Sequence, residues 1–113
     1  MTTLFGNVSK DHTVASKGSH GWTLDTVDNH VGSYEITFDR PFDEMPSAIV
    51  SSSEGTGTAV ATVQYLSKKK MIIQTYYPDL LDANGTPLPS DEKKQNASFC
   101  FIAMARELPT QVE

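Results

Sequence analysis

Residues 32–38 (GSYEITF) alternate between apolar and polar side chains, and this alternation constrains the fold more than any other feature of the sequence. Tyr34, Ile36 and Phe38 would lie on one face of an extended chain, with a serine, a glutamate and a threonine on the other. A period of two is that of a β-strand with one buried face and one face in water. We expect this strand to end before Pro41, because proline has no amide hydrogen to donate to a neighbouring strand.

Six further segments have the composition of short strands separated by turn-forming residues. They are residues 12–16, 20–25, 46–51, 58–66, 71–77 and 97–104. No window places apolar residues at the spacing of an amphipathic helix. A chain of 113 residues fits one domain. We therefore predict a single all-β domain over residues 1–113, built as an antiparallel sandwich or a barrel.

The charge balance argues against several classes of partner. The chain has 14 acidic and 9 basic residues, for a net charge of −5, and an acidic domain repels nucleic acid and anionic membrane surfaces. The one basic run, Lys68 to Lys70, lies between two predicted strands and fits a solvated hairpin tip better than a nucleic-acid patch. The amino terminus lacks the pattern of a signal peptide, and no stretch has the length of a membrane span. We expect no nucleic-acid partner and no membrane insertion, and the sequence leaves the localisation open.

The last predicted strand is apolar on both faces. Aromatic or small side chains at 99, 101 and 103 share one face, and Cys100, Ile102 and Met104 share the other. A sandwich covers only one face of each strand, so we predict that Cys100, Ile102 and Met104 form a subunit interface. The alternative is a barrel-like curl that buries both faces within one chain. Cys100 is the only cysteine, which excludes an intrachain disulfide, and we expect its thiol to be buried and unreactive.

The connection between the last two predicted strands, about residues 78–96, is long and contains three prolines. Loops of this length are commonly functional, and a simple insertion is the alternative. Aromatic rings can stack on sugar faces while polar groups bind the hydroxyls. The candidate ligand-binding residues on this basis are Tyr65, Tyr77, Asp79, Asp82 and Asn84. The competing interpretation is an ordinary strand end with a polar loop, and we expect the single tryptophan, Trp22, to pack in the core.

Five stretches along the chain together resemble a recurring arrangement. They are residues 18–23 (GSHGWT), 32–38 (GSYEITF), 41–42 (PF), 45–50 (MPSAIV) and 99–103 (FCFIA). This set resembles the small C1q-like jelly-roll domains of phage tail fibres and of bacterial surface and collagen-like proteins. The resemblance covers nearly the whole chain from Gly6 onward. It implies an antiparallel jelly-roll β-sandwich, a compact homotrimer packed about the last strand, and a role in recognition or in capping a fibre, on a phage virion or a bacterial surface.

The sequence contains no constellation that is typical of catalysis or metal binding. It has no nucleophile elbow, phosphate-binding loop or paired cysteines. His12, His20 and His30 lack metal-ligand spacing, and the residues around Asn84 lack the spacing and the bidentate acid of a calcium loop. We predict a protein that is not an enzyme and that has no cofactor and no metal.

These observations lead to one functional hypothesis and one alternative. The hypothesis is a non-enzymatic recognition module that binds a glycan or another cell-surface ligand as a homotrimer. The alternative is a structural trimerisation or capping head of a fibre or tail protein, with no small ligand of its own.

Overall fold

The computed structural model describes residues 1–25, 30–53, 59–78, 81–89 and 93–107. Eight strands lie in this part of the chain: β1 (Thr2–Ser9), β2 (Thr13–Ser16), β3 (Trp22–Asp25), β4 (Ser33–Phe38), β5 (Ser47–Ser52), β6 (Val60–Leu66), β7 (Lys70–Tyr76) and β8 (Phe99–Ala105). Seven of them confirm predicted strands, with ends that differ by one or two residues, and β1 is the strand that the sequence did not predict. No helix in the described ranges is long and apolar enough to cross a membrane.

The strands form two antiparallel four-stranded sheets, which confirms the all-β class and gives a β-sandwich. Sheet A has the strand order β2-β1-β8-β5, and sheet B has the order β3-β4-β7-β6. The two ends of the described chain meet in sheet A, because β1 pairs with β8 from Thr2 opposite Ala105 to Val8 opposite Phe99. Strand β5 pairs with the other side of β8. Strand β8 is therefore an interior strand whose outer face is framed by β1 and β5.

The core fills the space between the two sheets with side chains that alternate along the strands. Strand β4 contributes Tyr34, Ile36 and Phe38, all buried, as the alternation predicted. Strand β8 contributes Phe99 and Phe101, and the ring of Phe99 meets that of Tyr34 edge-on at 5.0 Å. Burial of each such side chain stabilises the fold by roughly 1.5–3 kcal/mol, so these two strands hold the sheets together.

Trp22 is fully buried, which confirms its expected place in the core. Its indole N–H donates to the carbonyl oxygens of Lys17 at 3.1 Å and Phe5 at 3.2 Å. Its ring meets Phe101 edge-on at 4.9 Å, and the Lys17 ammonium lies 4.3 Å from the ring centroid. A buried indole with its polar atom satisfied anchors the core and offers no ring face for stacking on a sugar.

Strand β1 has a weak sequence signal because of this same tryptophan. Leu4 and Val8 point into the core, but Gly6 stands between them where the alternation would require another apolar side chain. The indole of Trp22 occupies the space that a side chain at Gly6 would need. The packing of Trp22 therefore requires a glycine at this position, and the apolar residue that would have indicated the centre of a strand is absent from the sequence.

Lys68 and Lys69 form the exposed tip of the β6–β7 hairpin, as predicted. Ser67 fixes this turn: its amide donates to the carbonyl of Lys70 at 2.9 Å, and its hydroxyl oxygen accepts the amides of Lys69 and Lys70 at 3.1 Å each. The tip packs on the β4–β5 loop, since the amide of Phe42 donates to the Lys68 carbonyl at 2.9 Å. The hairpin thereby supports the loop at this end of the sandwich.

The long connection between β7 and β8 folds back on its own chain. The amide of Tyr77 donates to the carbonyl of Lys93 at 2.9 Å. Farther along, Leu81 and Pro87 form an antiparallel bridge. The connection is thus paired with itself at two places, at its base and near its tip. The turn between Leu81 and Pro87 is exposed.

Candidate functional site

The outer face of sheet A carries an apolar row across three strands. Ile102 of β8 lies directly between Phe5 of β1 and Ile49 of β5 in the ladder. Directly opposite residues of an antiparallel pair share a face, with Cβ atoms about 4.5–5.5 Å apart. Ile102 is 42% exposed, Phe5 46% and Ile49 69%. Together with Cys100 and Met104, which flank Ile102 on the same face of β8, these residues form a surface that we call the apolar cross.

The apolar cross and its ladder neighbours contain no charged residue. The positions opposite its two ends on β8 hold small or uncharged side chains: Thr3, Asn7, Ser47 and Ser51. Charged residues make up 20% of the chain, and none of them lies among these nine adjacent positions. Depletion of charge around exposed apolar side chains is the compositional mark of the core of a protein interface.

The three residues of the predicted interface, Cys100, Ile102 and Met104, lie on the face of β8 that is turned away from the core. The alternative of a barrel-like curl is wrong, because no described segment of the chain covers this face. The expectation of a buried thiol is also wrong within one chain. Cys100 is partly exposed, and its Sγ lies 3.7 Å from the carbonyl oxygen of Ser51, because an outward position in a two-layer sandwich has only solvent or another molecule above it.

Two of the predicted ligand residues lie at the exposed tip of the β7–β8 connection. The Asp82 carboxylate is engaged in its own turn, since Oδ1 accepts the amides of Asn84 at 2.8 Å and Thr86 at 3.0 Å. Asp79 lies outside the described residues. Tyr77 stands at the base of the connection and is partly buried. Asp82 and Asn84 therefore lie in the same turn. The sequence did not predict that the Asp82 carboxylate stabilises this turn.

The structure does not bring Tyr65 to this place. Tyr65 is 49% exposed and lies opposite Ile72, next to the lysine hairpin. Tyr77 follows Ile72 by five residues along the chain, which at ~3.3 Å per residue is about 16 Å. The predicted set of ligand residues thus does not form one sugar-sized site.

A cavity of about 270 Å³ opens at one end of the sandwich, and sequence reasoning did not find it. The β4–β5 loop supplies residues 39–43 to its lining, and the other contributors are Thr2, Leu4, Gly21, Arg106 and Glu107. We call it the terminal cavity, because the start of β1 and the end of β8 meet there. A sequence signal existed: residues 39–44 (DRPFDE) place four charges around a proline and a phenylalanine.

Hydrogen bonds and one ion pair hold the rim of the terminal cavity. The hydroxyl of Thr2 donates to Glu107 Oε1 at 2.7 Å. Arg106 Nη2 lies 2.6 Å from an oxygen of Glu44, and this hydrogen bond, with the opposite charge, raises the pKa of Arg106 above its ordinary value. Within the described residues, no hydrogen bond or ion pair engages the Arg40 guanidinium. The rim therefore combines fixed polar groups with one guanidinium that is available to a ligand.

The three histidines have different surroundings. His12 is buried and stacks on Tyr34 with ring centroids 4.2 Å apart, and its Nε2 lies 3.0 Å from the Ser33 carbonyl oxygen. His20 and His30 are exposed. Among the residues that the structure describes, no group of three or more His, Cys, Asp and Glu side chains could hold a metal ion.

In comparisons with known proteins, no family model, no curated protein and no solved structure matches the chain.

Proposed function

We propose that this protein is a non-enzymatic recognition module that assembles as a homotrimer through the outer face of sheet A and binds a glycan or another surface ligand. The observation that carries the assembly is the apolar cross, with Ile102 exposed at its centre between Phe5 and Ile49. Exposed apolar side chains have a free-energy cost in water that burial against a second copy removes. A closed homo-oligomer is the ordinary outcome when one chain carries such a surface.

The energetic argument rests on a few side chains. Complete burial of an exposed isoleucine or phenylalanine side chain contributes roughly 1.5–3 kcal/mol. Because Phe5, Ile49 and Ile102 are 46%, 69% and 42% exposed, a large part of this free energy is still to be gained when a second copy covers them. A small cluster of anchors near the centre of an interface commonly supplies most of the binding energy. The uncharged neighbours of the cross allow close approach, because no charge has to be desolvated without a partner.

The strand order supports the finer proposal of a jelly roll. The first and last strands pair in the interior of sheet A, β4 and β7 pair in sheet B, and the chain changes sheets between β2 and β3, β4 and β5, β5 and β6, and β7 and β8. A chain doubled over and wrapped across two sheets has this arrangement. The trimeric number itself comes from the resemblance to C1q-like domains. In that setting the protein would act on a phage virion or a bacterial surface.

The apolar cross also favours the second candidate function. A structural trimerisation or capping head of a fibre or tail protein needs the same self-association and no ligand site. A glycan array distinguishes the two: hits that a free sugar displaces favour the recognition module, and silence across a broad array favours the structural head.

The experiment that tests the assembly is molar mass by light scattering after size exclusion. We expect a mass near three times the 12.4 kDa of one chain, and a single-chain mass for Ile102→Lys, which places a charge at the centre of the cross. Thr62→Lys is the matched control, because Thr62 is an exposed strand residue of sheet B. A wild-type monomer would overturn the assembly, and so would an Ile102→Lys protein that remains trimeric.

A further inference from the structure

We infer that the terminal cavity binds one uncharged sugar ring of a glycan, an inference that rests on the proposed recognition function and names its site and ligand class. The site differs from the tyrosines and the β7–β8 connection that the sequence suggested. Its lining joins segments that are far apart in the chain, from Thr2 and Leu4 through the β4–β5 loop to Glu107. A concave site built from both sheets is the ordinary location for a small-molecule ligand on a β-sandwich, because the outer faces are flat.

The wall of the cavity provides an apolar surface. Pro41, between the charges of the loop, is exposed, whereas Leu4 and Phe42 belong to the core cluster and line the cavity with the small exposed part of their side chains, 7% and 6%. The ring of Phe42 is fixed edge-on against Phe38 at 4.9 Å. A sugar ring presents C–H groups on its faces, so an apolar wall at a fixed position can pack against it without reorganisation.

The rim supplies both hydrogen-bond acceptors and donors. Asp39 and Asp43 carry carboxylates, which accept, and Arg40 carries a guanidinium, which donates. One oxygen of Asp39 already accepts the hydroxyl of Thr23 at 2.9 Å, which orients the carboxylate. A sugar hydroxyl is both donor and acceptor, so adjacent hydroxyls of one ring suit a rim that alternates the two types.

The charge of the rim argues for an uncharged ligand. Three carboxylates line the cavity, on Asp39, Asp43 and Glu107, against the guanidinium groups of Arg40 and Arg106. The Arg106 group is already paired with a fourth carboxylate, that of Glu44. An acidic sugar would therefore enter a field that is net negative, on a chain with a net charge of −5.

The cavity is small and its walls are held in place. Its volume of about 270 Å³ falls just below the ~300–1,000 Å³ of pockets for drug-sized ligands, which suits one ring of a larger glycan. The amide of Asp39 donates to the Gly21 carbonyl at 2.8 Å, and the amide of Phe42 donates to the Lys68 carbonyl at 2.9 Å. These bonds tie both sides of the β4–β5 loop to neighbouring turns, so little loop entropy is lost when a ligand binds.

The test is a ¹H–¹⁵N TROSY titration of the 113-residue chain with methyl glycosides of glucose, galactose, mannose and N-acetylglucosamine, and with glucuronate as the acidic probe. We expect at least one uncharged glycoside to shift the amides of Gly21, Arg40 and Phe42 with a millimolar Kd, and glucuronate to bind at least tenfold more weakly. Asp39→Asn keeps an oxygen acceptor for Thr23, and Arg40→Ala removes the unengaged donor. Each variant should weaken binding about tenfold or more, because each removes a charge-assisted hydrogen bond.

Glu35→Gln is the matched control, since it removes a carboxylate on the outer face of sheet B, far along β4 from the cavity, and it should bind the glycoside as the wild type does. Three outcomes overturn the inference: no shift with any glycoside, shifts confined to other residues, or tighter binding of glucuronate. Shifts at the β7–β8 connection would place the ligand there and keep the recognition function. The mass measurement is independent of all three, so failure of the cavity and failure of the assembly are separate results.

Discussion

The backbone of Gly6 lies against the indole of Trp22: a Cβ built on Gly6 would fall 2.2 Å from Cζ2 of Trp22 and 2.8 Å from the Lys17 carbonyl oxygen. Because the indole is fully buried and its N–H is held by two carbonyl oxygens, it has no free volume into which it can retreat. We predict that Gly6→Ala destabilises the protein by about 1–3 kcal/mol through overpacking, as measured by urea unfolding.

Gly85→Ala is the control for this substitution. Gly85 has a φ of +79°, and a Cβ there would meet nothing within 4 Å, so it carries the backbone cost of a left-handed residue without a clash. This backbone cost, roughly 1–2 kcal/mol, should be confined to an exposed turn, so the free energy of global unfolding should change less than in Gly6→Ala. Equal effects of the two variants on global unfolding would contradict the packing argument for Gly6.

His12 is a buried, non-glycine residue in the left-handed region, with a φ of 62°. A side chain in that conformation costs roughly 1–2 kcal/mol, which the stacking on Tyr34 and the contact with Ser33 offset here. His12→Ala keeps the backbone cost and loses the ring, whereas His12→Gly loses the ring and the cost together. We predict that the glycine variant is about 1 kcal/mol more stable than the alanine variant, the reverse of the usual order in regular structure. Thermal unfolding of both variants checks the order, and an alanine variant as stable as the glycine variant would show that the backbone at His12 relaxes.

The ammonium of Lys70 lies 2.8 Å from Glu35 Oε1 across β4 and β7. This hydrogen bond, with the charge of Glu35, raises the pKa of Lys70 above the ordinary 10.5. A raised folded-state pKa gives a stabilising contribution that is present below the unfolded-state pKa and is lost as the pH rises through the folded-state pKa. We predict that the Cε signal of Lys70 titrates at a pH above the ordinary 10.5. Glu35→Gln should remove this shift, and a shift that persists in this variant would have another cause.

The carboxylate of Asp82 closes the turn at the tip of the β7–β8 connection by accepting two amides. Asp82→Ala should increase amide hydrogen exchange at Asn84 and Thr86 about tenfold, since each loses a bond worth roughly 1–1.5 kcal/mol. Asp82→Asn retains the oxygen and should exchange as the wild type does. Because this turn is exposed, global unfolding should be unchanged in both variants, and a loss of global stability would mean that the turn packs on the sandwich.

The sequence determined β4 because the two faces of this strand meet different surroundings. The alternation of Tyr34, Ile36 and Phe38 is a local signal, and a single strand suffices to produce it. The apolarity of residues 99–104 on both faces likewise indicated from the chain alone that the outer face of β8 is apolar. The lysine turn of the β6–β7 hairpin could also be predicted, because consecutive charged side chains between two strand-forming segments favour an exposed turn.

Only the tertiary structure decided which strands are neighbours, and with them which residues lie together in the apolar cross and in the terminal cavity. Phe5 and Ile49 join Ile102 in one row because β1 and β5 flank β8, and this pairing links residues nearly the length of the chain apart. The terminal cavity collects distant segments in the same way, while Tyr65 and Tyr77 are held apart by the length of one strand. Pairing and closure depend on the packing of the whole core, so no local pattern encodes them. At Gly6 the alternating pattern of the strand is interrupted, because the indole of Trp22 occupies the space that a side chain there would need.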